Sequence, residues 1–394
     1  MEFKRLTPYQ EALKLMLDDL GEVNDEEVSL KEALGRVLAE DVTTPFEIPP
    51  FNRAAVDGYA LRAEDTFAAR EYSPVTLEVI EEVPAGRAPR KRVEPGKSIK
   101  VLTGAKIPEG ANAVLMQEHA IREGNLIRVL RPVAPGQNVA FAGEDVKKGQ
   151  VVLRKGQILR PQDLAILKAL GVKRVRVKRR PRVGIIVTGD ELIDEPSEDA
   201  FRAGKIVETN SVMLMGLVER YFGEPVFYGV LPDDPHEIRE AMEMAKKEND
   251  LVLVTGGSAF GDRDYAHHFV RLLFHGTTIK PGRPIGYGER VFVMSGYPVA
   301  VFAQFHLFVK HALAKLVGAR DCEIRVRARL MERVPSQLGR YEFVKVRYEG
   351  GIARPIKRRG SGIMSSLVES NGYLVIPEDS EGYLEGEEVW ITLY

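Results

Sequence analysis

The sequence predicts a multidomain protein of the α/β plus β class, and three observations carry that expectation. Over residues 183–310, apolar runs that stop at glycine alternate with segments of helical spacing, the rhythm of a parallel sheet with helices on its faces. From about residue 45 to 142, short β-type runs lie between Gly/Pro turns. A second all-β stretch closes the chain, which at 394 residues is long enough for two to four domains.

Composition narrows the function classes. Lys+Arg number 56 against Asp+Glu 57, a net charge of −1 that gives no general attraction to nucleic acid or membrane. The single cysteine, Cys322, excludes an internal disulfide framework and a multi-cysteine zinc site, and fits a reducing cytoplasm. "MEFKRLTPYQ" has no apolar leader region, and no apolar run approaches ~18 residues. A soluble, cytoplasmic protein is expected.

Two helices are expected to open the chain. Thr7-Pro8-Tyr9-Gln10 reads as an N-cap, a proline at the first helical position and a capping-box glutamine, followed by Leu13, Met16, Leu17 and Leu20. Ser29 with Glu32 repeats the capping box ahead of Ala33, Leu34, Val37 and Leu38. The β-rich stretch contains "VTLEVI", "AVLMQE" and "LIRVL"; a helix returns at "PQDLAILKALGV", 161–172. "KRVRVKRRPR" (173–182) alternates with valine and so predicts a strand with a charged outer face rather than a nucleic-acid patch. In the α/β stretch, "RVGIIVTG", "PVFYGVL" and "DLVLVTGG" are strands, with "SVMLMGLVERYFG" and "DDPHEIREAMEMAKKE" as helices. The end carries "EIRVRARL", "YEFVKVRY", "GYLVIP" and "EVWITLY" as strands.

Ligands in open α/β sheets sit outside the strands' C-terminal ends, where "VTGGSAFGDRDY" (254–265) falls. Gly256, Gly257 and Gly261 allow positive φ and close ligand approach, so successive amides can face a phosphate. A plain strand-to-helix turn capped by an aspartate fits the same spacing. "TGDEL" places Asp190 and Glu191 on the same edge, as turn and solvated residues or as part of a site. Asp234 before Pro235 reads as a helix cap, leaving Asp233 the better candidate for other work. "KPGRPIGYG" (280–288) sets Lys280 and Arg283 between stiffening prolines, suited to an oxyanion or to a solvated loop. His267-His268 shows no zinc spacing.

Taken in order, "FNRAAVDGYAL", "LTGAKIPEGANAVLMQE", "GED" (143–145), "TGDEL", "ETN" (208–210), "DDPHEIR", "TGG…GDRDY", "KPGRP" and "GSGIMSSL…NGYLVIPE" resemble the molybdopterin molybdotransferase family, the bacterial MoeA proteins and the gephyrin E domain. The resemblance spans essentially the whole chain. It implies a helical linker domain (1–44 and 143–178), a β-rich insert domain (45–142), a three-layer α/β molybdopterin-binding-like domain (179–318) and a small C-terminal β-barrel domain (319–394). It also implies a homodimer whose site combines the insert of one subunit with the α/β domain of the other. The family reaction inserts molybdate, or tungstate, into adenylylated molybdopterin and releases AMP with Mg²⁺; the molybdopterin adenylyltransferase is a further partner.

Carried over motif by motif, the resemblance makes Asp57, Asp145, Glu191, Asp264 and Lys280 catalytic, with Asp57, Glu191, Asp233, Asp234 and Asp264 around the cation. Thr103 and Arg283 become oxyanion or phosphate contacts; Gly256, Gly257, Ser258, Gly261, Gly296 and Pro298 line the pterin-phosphate cradle. A hard cation between carboxylates and phosphates explains why acid stands beside an anion site.

This sequence departs from the family pattern at Ala54, Ala259 and Ala300, where the family has serine, at Ser295 for proline, at Tyr297 for asparagine and at Ala140 for arginine. A lost charge-assisted contact costs roughly 1.5–3 kcal/mol and a neutral one roughly 0.5–1.5. Two functions are therefore expected to compete: the metal-inserting enzyme, and a weakened paralogue that binds pterin or a partner protein without metal insertion.

Overall fold

A computed structural model describes residues 6–256, 265–320, 323–356, 360 and 362–394. The chain divides into two compact units, one of Met1–Glu40, Lys155–Ala165 and Val172–Tyr394, the other of Asp41–Arg154 and Ile166–Gly171.

In the first unit, helix α1 (Tyr9–Asp19) buries Tyr9, Ala12, Met16 and then Leu20, one face at helical spacing. Its start differs from the expectation at Thr7 and Gln10. Thr7 stays extended in a bridge to Thr277, as a residue before proline prefers, and Pro8 precedes the helix. The open Tyr9 amide donates instead to Thr278 Oγ1 (3.1 Å) and Glu378 Oε1 (3.0 Å), tertiary partners in place of a local cap.

The helix expected from Ser29 does not form. The capping box is made, with Glu32 Oε2 accepting from Ser29 N (3.0 Å) and Ser29 Oγ (2.7 Å). It closes only a turn, because Gly35 adopts φ +72° and donates to Leu159 O (2.8 Å). Beyond it Val37 and Leu38 are held extended by bridges to Ile158 and Val177. Before the turn, strand β1 (Asp25–Ser29) pairs antiparallel with β2 (Arg174–Lys178). Strand β2 alternates as expected: Val175 and Val177 are buried, while Arg174 meets Glu27 (3.2 Å) and Arg176 meets Asp25 (3.3 Å). Its basic charge is matched by acid. Helix α2 (Pro161–Ala169) lies where its proline and Gly171 predict.

Strands β3 (Arg182–Thr188), β4 (Glu224–Leu231), β5 (Leu251–Thr255) and β6 (Val291–Met294) run parallel in the order β4-β3-β5-β6. Gly286–Gly288 and Phe274–His275 extend this sheet antiparallel. Helices α3 (Asn210–Arg220), α4 (Pro235–Glu248) and α5 (Pro298–Leu316, with a π turn at Phe305–Val309) cover it. Alternate residues of β5 divide between the faces: Leu251 and Leu253 pack with Leu214 and Val218 of α3, Val252 and Val254 with Ile238 and Met242 of α4. Each such side chain withdrawn from water contributes roughly 1.5–3 kcal/mol, which is why apolar runs on both faces fix this layer. Helix α5 is long and apolar enough to cross a membrane by composition, yet 89% of its window is buried inside the protein.

The last part is a closed small barrel. Strands Ile324–Leu330, Tyr341–Glu349, Ile352–Pro355, Gly372–Ile376 and Glu388–Leu393 form one sheet, and Tyr341–Glu349 also pairs with Gly372–Ile376 to close it. The short strand Ile279–Lys280 joins the outside of this sheet in parallel, Ile279 opposite Tyr341 and Lys280 opposite Glu342.

The second unit is built on a six-stranded sheet ordered Ala113–Met116, Gly58–Leu61, Lys97–Val101, Val75–Val83, Leu126–Val129, Ala120–Glu123. Both faces are packed, Tyr59, Leu61 and Leu115 on one side, Ala60, Ile99 and Val114 on the other. A Cβ on Gly58 would lie 1.9 Å from Leu115 O, so only glycine lets the strand carrying Asp57 approach its neighbour.

Candidate functional site

In the second unit the structure brings Asp57 and Thr103 together. Asp57 Oδ1 accepts from Thr103 Oγ1 (2.6 Å) and Thr103 N (2.7 Å). The hydroxyl bond, then the amide bond, hold the Asp57 carboxyl below its ordinary pKa. Asp145 is exposed, and among the described residues no hydrogen bond or ion pair joins it to Asp57 or Thr103. Ala54 is only 1% exposed and packs in the apolar cluster of Ile99 and Val114. Its methyl therefore belongs to the core, where a serine hydroxyl would need a partner. That corrects the expectation that the position faces a ligand.

In the first unit, the C-terminal ends of β3 and β5 converge. Gly256 has φ +90°, and a Cβ there would sit 2.4 Å from Thr188 O, so this position requires glycine. Asp190 and Asp233 cap one another: Asp233 N donates to Asp190 Oδ1 (3.1 Å), and Asp190 N to Asp233 Oδ2 (3.5 Å). The Glu191 carboxylate folds over Gly189, its oxygens 2.8 and 3.0 Å from where a Cβ would stand. Asp234 is the N-cap of α4, accepting from His236 N (2.8 Å) and Glu237 N (3.0 Å), as its place before Pro235 predicts. Gly257, Ser258, Ala259, Gly261 and Asp264 lie outside the described residues. Among those described, no group of three or more His, Cys, Asp or Glu side chains gathers to hold a metal ion, so the residues present do not by themselves fit a Mg²⁺ site.

The Gly296–Pro298 turn sits at the same edge. A Cβ on Gly296 would have Gly256 Cα at 3.9 Å as its only neighbour within 4 Å, and Gly296 O accepts from Asn210 Nδ2 (2.8 Å). Ser295 Oγ accepts from Tyr297 N (3.3 Å), so this serine satisfies an amide at the start of α5 although the family's asparagine is absent. Buried Gln304 accepts from Ser295 N (3.0 Å) and donates to Gly282 O (2.8 Å), fixing both turns. Ala300 is buried at 3% exposure, a second departure that is a packing residue.

Between the Lys280–Pro281 turn and the barrel lies a cleft of about 670 Å³ whose lining includes Lys280, Val299, Arg333, Ser336, Glu342 and Lys345. Among the described residues its charged lining is three cations and one carboxylate, and the carboxylate is bonded to Lys280 (3.1 Å). Arg283 does not line it. Lys345 is 9% exposed, and burial lowers its pKa below the usual lysine range. No hydrogen bond or ion pair to its Nζ is made among the described residues. The sequence motifs did not point to Lys345 or Arg333. Alternation puts Lys345 on the side of its strand that carries Phe343, opposite Val344 and Val346 of the barrel core, but both sides are partly buried, so the strand pattern alone does not single it out.

Fold and sites together define a multidomain α/β protein with a glycine-turned sheet edge and a cleft lined by Lys280, Arg333 and Lys345. Residues 7–171 match the family model for the MoeA N-terminal region (domain I and II), 184–315 a probable molybdopterin binding domain, and 327–394 the MoeA C-terminal region (domain IV). The crystal structure of the molybdopterin biosynthesis MoeA protein of Pyrococcus horikoshii is similar at TM-score 0.93 and 68% identity, covering 99% of this chain and 100% of that one. A molybdenum cofactor biosynthesis protein of Pyrococcus furiosus has TM-score 0.67 and 48% identity over 99% of this chain and 100% of its own. The molybdopterin molybdenumtransferase of Staphylococcus epidermidis is 31% identical over 100% of this chain and 97% of its own length. The chain belongs to the MoeA family of molybdenum cofactor biosynthesis. The weakened paralogue is not the favoured alternative.

Proposed function

We propose that the protein inserts molybdate, or tungstate, into adenylylated molybdopterin with release of AMP. The observation that carries this is the cleft with Lys345 buried and, among the described residues, unpaired. An ammonium withdrawn from water without a carboxylate favours an anion beside it, and Lys280 and Arg333 line the same cleft as further donors for a tetrahedral oxyanion. Glu342 keeps Lys280 oriented across the mouth of the cleft. At the sheet edge, the open side of Gly296 leaves room for a phosphate beside the Gly256 turn, with Gly257, Ser258, Gly261 and Pro298 as the further cradle residues of this reading.

Asp57, held ionised by Thr103, and Asp145 belong to the insert's half of the site, with a second copy of the chain supplying the α/β half in a homodimer. In this reading Mg²⁺ would be held by residues drawn from Asp57, Glu191, Asp233, Asp234 and Asp264 only once the substrate and a second copy complete the set, and would supply positive charge to the pyrophosphate, with Arg283 as a further phosphate contact. The molybdopterin adenylyltransferase would supply the substrate, in a soluble, cytoplasmic setting.

Molybdate binding by calorimetry and AMP release from adenylylated molybdopterin test the reading. AMP release is expected to depend on molybdate or tungstate, and no acceleration at saturating substrate overturns it. Unchanged molybdate affinity in Lys345→Met removes the cleft from the mechanism.

A further inference from the structure

The motif "ETN" has no part in the chemistry above, yet its asparagine ends in an unusual position. Asn210 is 5% exposed at the first turn of α3, and its Nδ2 donates to Gly296 O at 2.8 Å. That bond fixes the amide's orientation, since the flipped form would set two carbonyl oxygens against each other. Asn210 Oδ1 is then left buried with no hydrogen-bond partner among the described residues. The helix turn that carries it is held by Glu208, whose Oε1 accepts from Ser211 N at 2.9 Å, so the orphaned oxygen does not arise from a loose segment.

A second orphan lies on the same side of the sheet. Thr255 ends β5 at 1% exposure, and its Oγ1 is likewise buried without a partner among the described residues. Leu251 and Leu253 face α3, so alternation turns Thr255 to the α3 side as well. Thr255 adjoins Gly256, Gly256 Cα is the near neighbour of Gly296, and Gly296 is bonded to Asn210. Two buried polar atoms without partners therefore sit behind the two glycine turns, where no side chain of either glycine intervenes. Native interiors rarely leave such groups unpaired.

We propose that Asn210 Oδ1 and Thr255 Oγ1 form a neutral hydrogen-bonding subsite that receives an N–H-bearing, uncharged heterocycle. An amide oxygen in this orientation only accepts, so the group that meets it brings a hydrogen, which an ionised phosphate oxygen does not. The threonine hydroxyl both donates and accepts, matching a ring edge on which an N–H stands next to a carbonyl or ring nitrogen. The subsite thus separates recognition of the ring from recognition of the phosphate at the glycine amides. Naming that heterocycle as a pterin rests on the proposed function.

Thr255→Val tests this, because it removes only the hydroxyl and breaks no hydrogen bond among the described residues. With 6-hydroxymethylpterin, a pterin that carries no phosphate, the dissociation constant is expected to rise about three- to tenfold, the range of one neutral hydrogen bond. Asn210→Ala is expected to weaken it further, whereas molybdate affinity stays at the wild-type value in Thr255→Val. The melting temperature of ligand-free Thr255→Val should be equal to or above that of wild type. The proposal is overturned by unchanged pterin affinity in Thr255→Val, by wild-type protein that does not bind the pterin, or by a lower melting temperature, which would assign both oxygens to an ordered water. Absence of molybdate binding and AMP release in wild type would instead sink the insertion reaction, while the pterin titration still decides the subsite.

Discussion

The barrel cleft and the C-terminal edge of the parallel sheet handle charge in opposite ways. At the sheet edge the carboxylates are supplied with donors from the chain itself: Asp190 and Asp233 bond each other's amides, and Asp234 caps α4. In the cleft, Lys345 is buried with no carboxylate among the described residues to meet it. The described edge carboxylates accept from main-chain amides, whereas among the described residues the cleft leaves Lys345 without a counter-charge, which favours an anion there. A site that binds charge is better recognised by a group left unpaired than by a count of charged residues.

The largest effect that would break this comparison is at Lys345. Lys345→Met is expected to weaken molybdate binding about 10- to 100-fold, the range of a lost charge-assisted bond, and to raise the melting temperature of the ligand-free protein. Calorimetry and thermal melting read the two signs, and a loss of stability would show that Lys345 is structurally paired after all.

Helix α5, whose Val299 lines the cleft, carries a second unpaired group, His306. It is fully buried among Phe302, Phe343, Tyr373 and Tyr394, and neither ring nitrogen has a partner among the described residues. Burial, then the charges of Lys310, Arg220 and His311, push its pKa well below the ordinary histidine value. The folded state keeps it neutral while the unfolded chain takes up a proton, so its contribution is whole above about pH 6.5 and is lost as pH falls below that value. The slope is about 1.4 kcal/mol per pH unit, and denaturation midpoints of wild type and His306→Phe between pH 7 and 5 are expected to diverge by it.

At the sheet edge the effects are smaller. Asp234→Ala should cost about 1 kcal/mol through loss of the α4 cap, measured by urea denaturation. If the residue only caps, the AMP-release rate below the melting temperature is unchanged; a fall of tenfold or more would make Asp234 a ligand of the reacting centre. Smallest is Thr103→Val, which removes the main cause of the low Asp57 pKa. The carboxyl should titrate nearer its ordinary value, so its ionised form is lost at a higher pH than in wild type, as NMR of the Asp57 carboxyl carbon would show.

Much of the architecture was legible because long signals agree. Strands buried on both faces, the Asp234–Pro235 helix start and the alternating valines of β2 each rest on local chemistry that tertiary structure reinforces. The Ser29 capping box shows where local reading ends: both of its hydrogen bonds form, but Gly35 and the pairing of Val37 and Leu38 turn the chain into extended structure instead of a helix. Motif order singled out Asp57, Thr103, Gly256 and Gly296 one by one, and the structure sets Asp57 against Thr103 and Gly256 beside Gly296. Arg333 was not singled out, because its place in the cleft depends on segments distant in sequence, and neither were Lys345 and the Asn210 oxygen, which are marked by the absence of a partner among the described residues.

The two-residue strand that ties Ile279 and Lys280 to the rim of the barrel has a mechanical consequence. Main-chain rungs join Ile279 to Tyr341 and Lys280 to Glu342, so the loop bearing one cation is splinted to the strand bearing Lys345. Any tilt of the barrel carries both ammonium groups as a single jaw, and their spacing survives movements that would scatter side chains mounted on separate hinges.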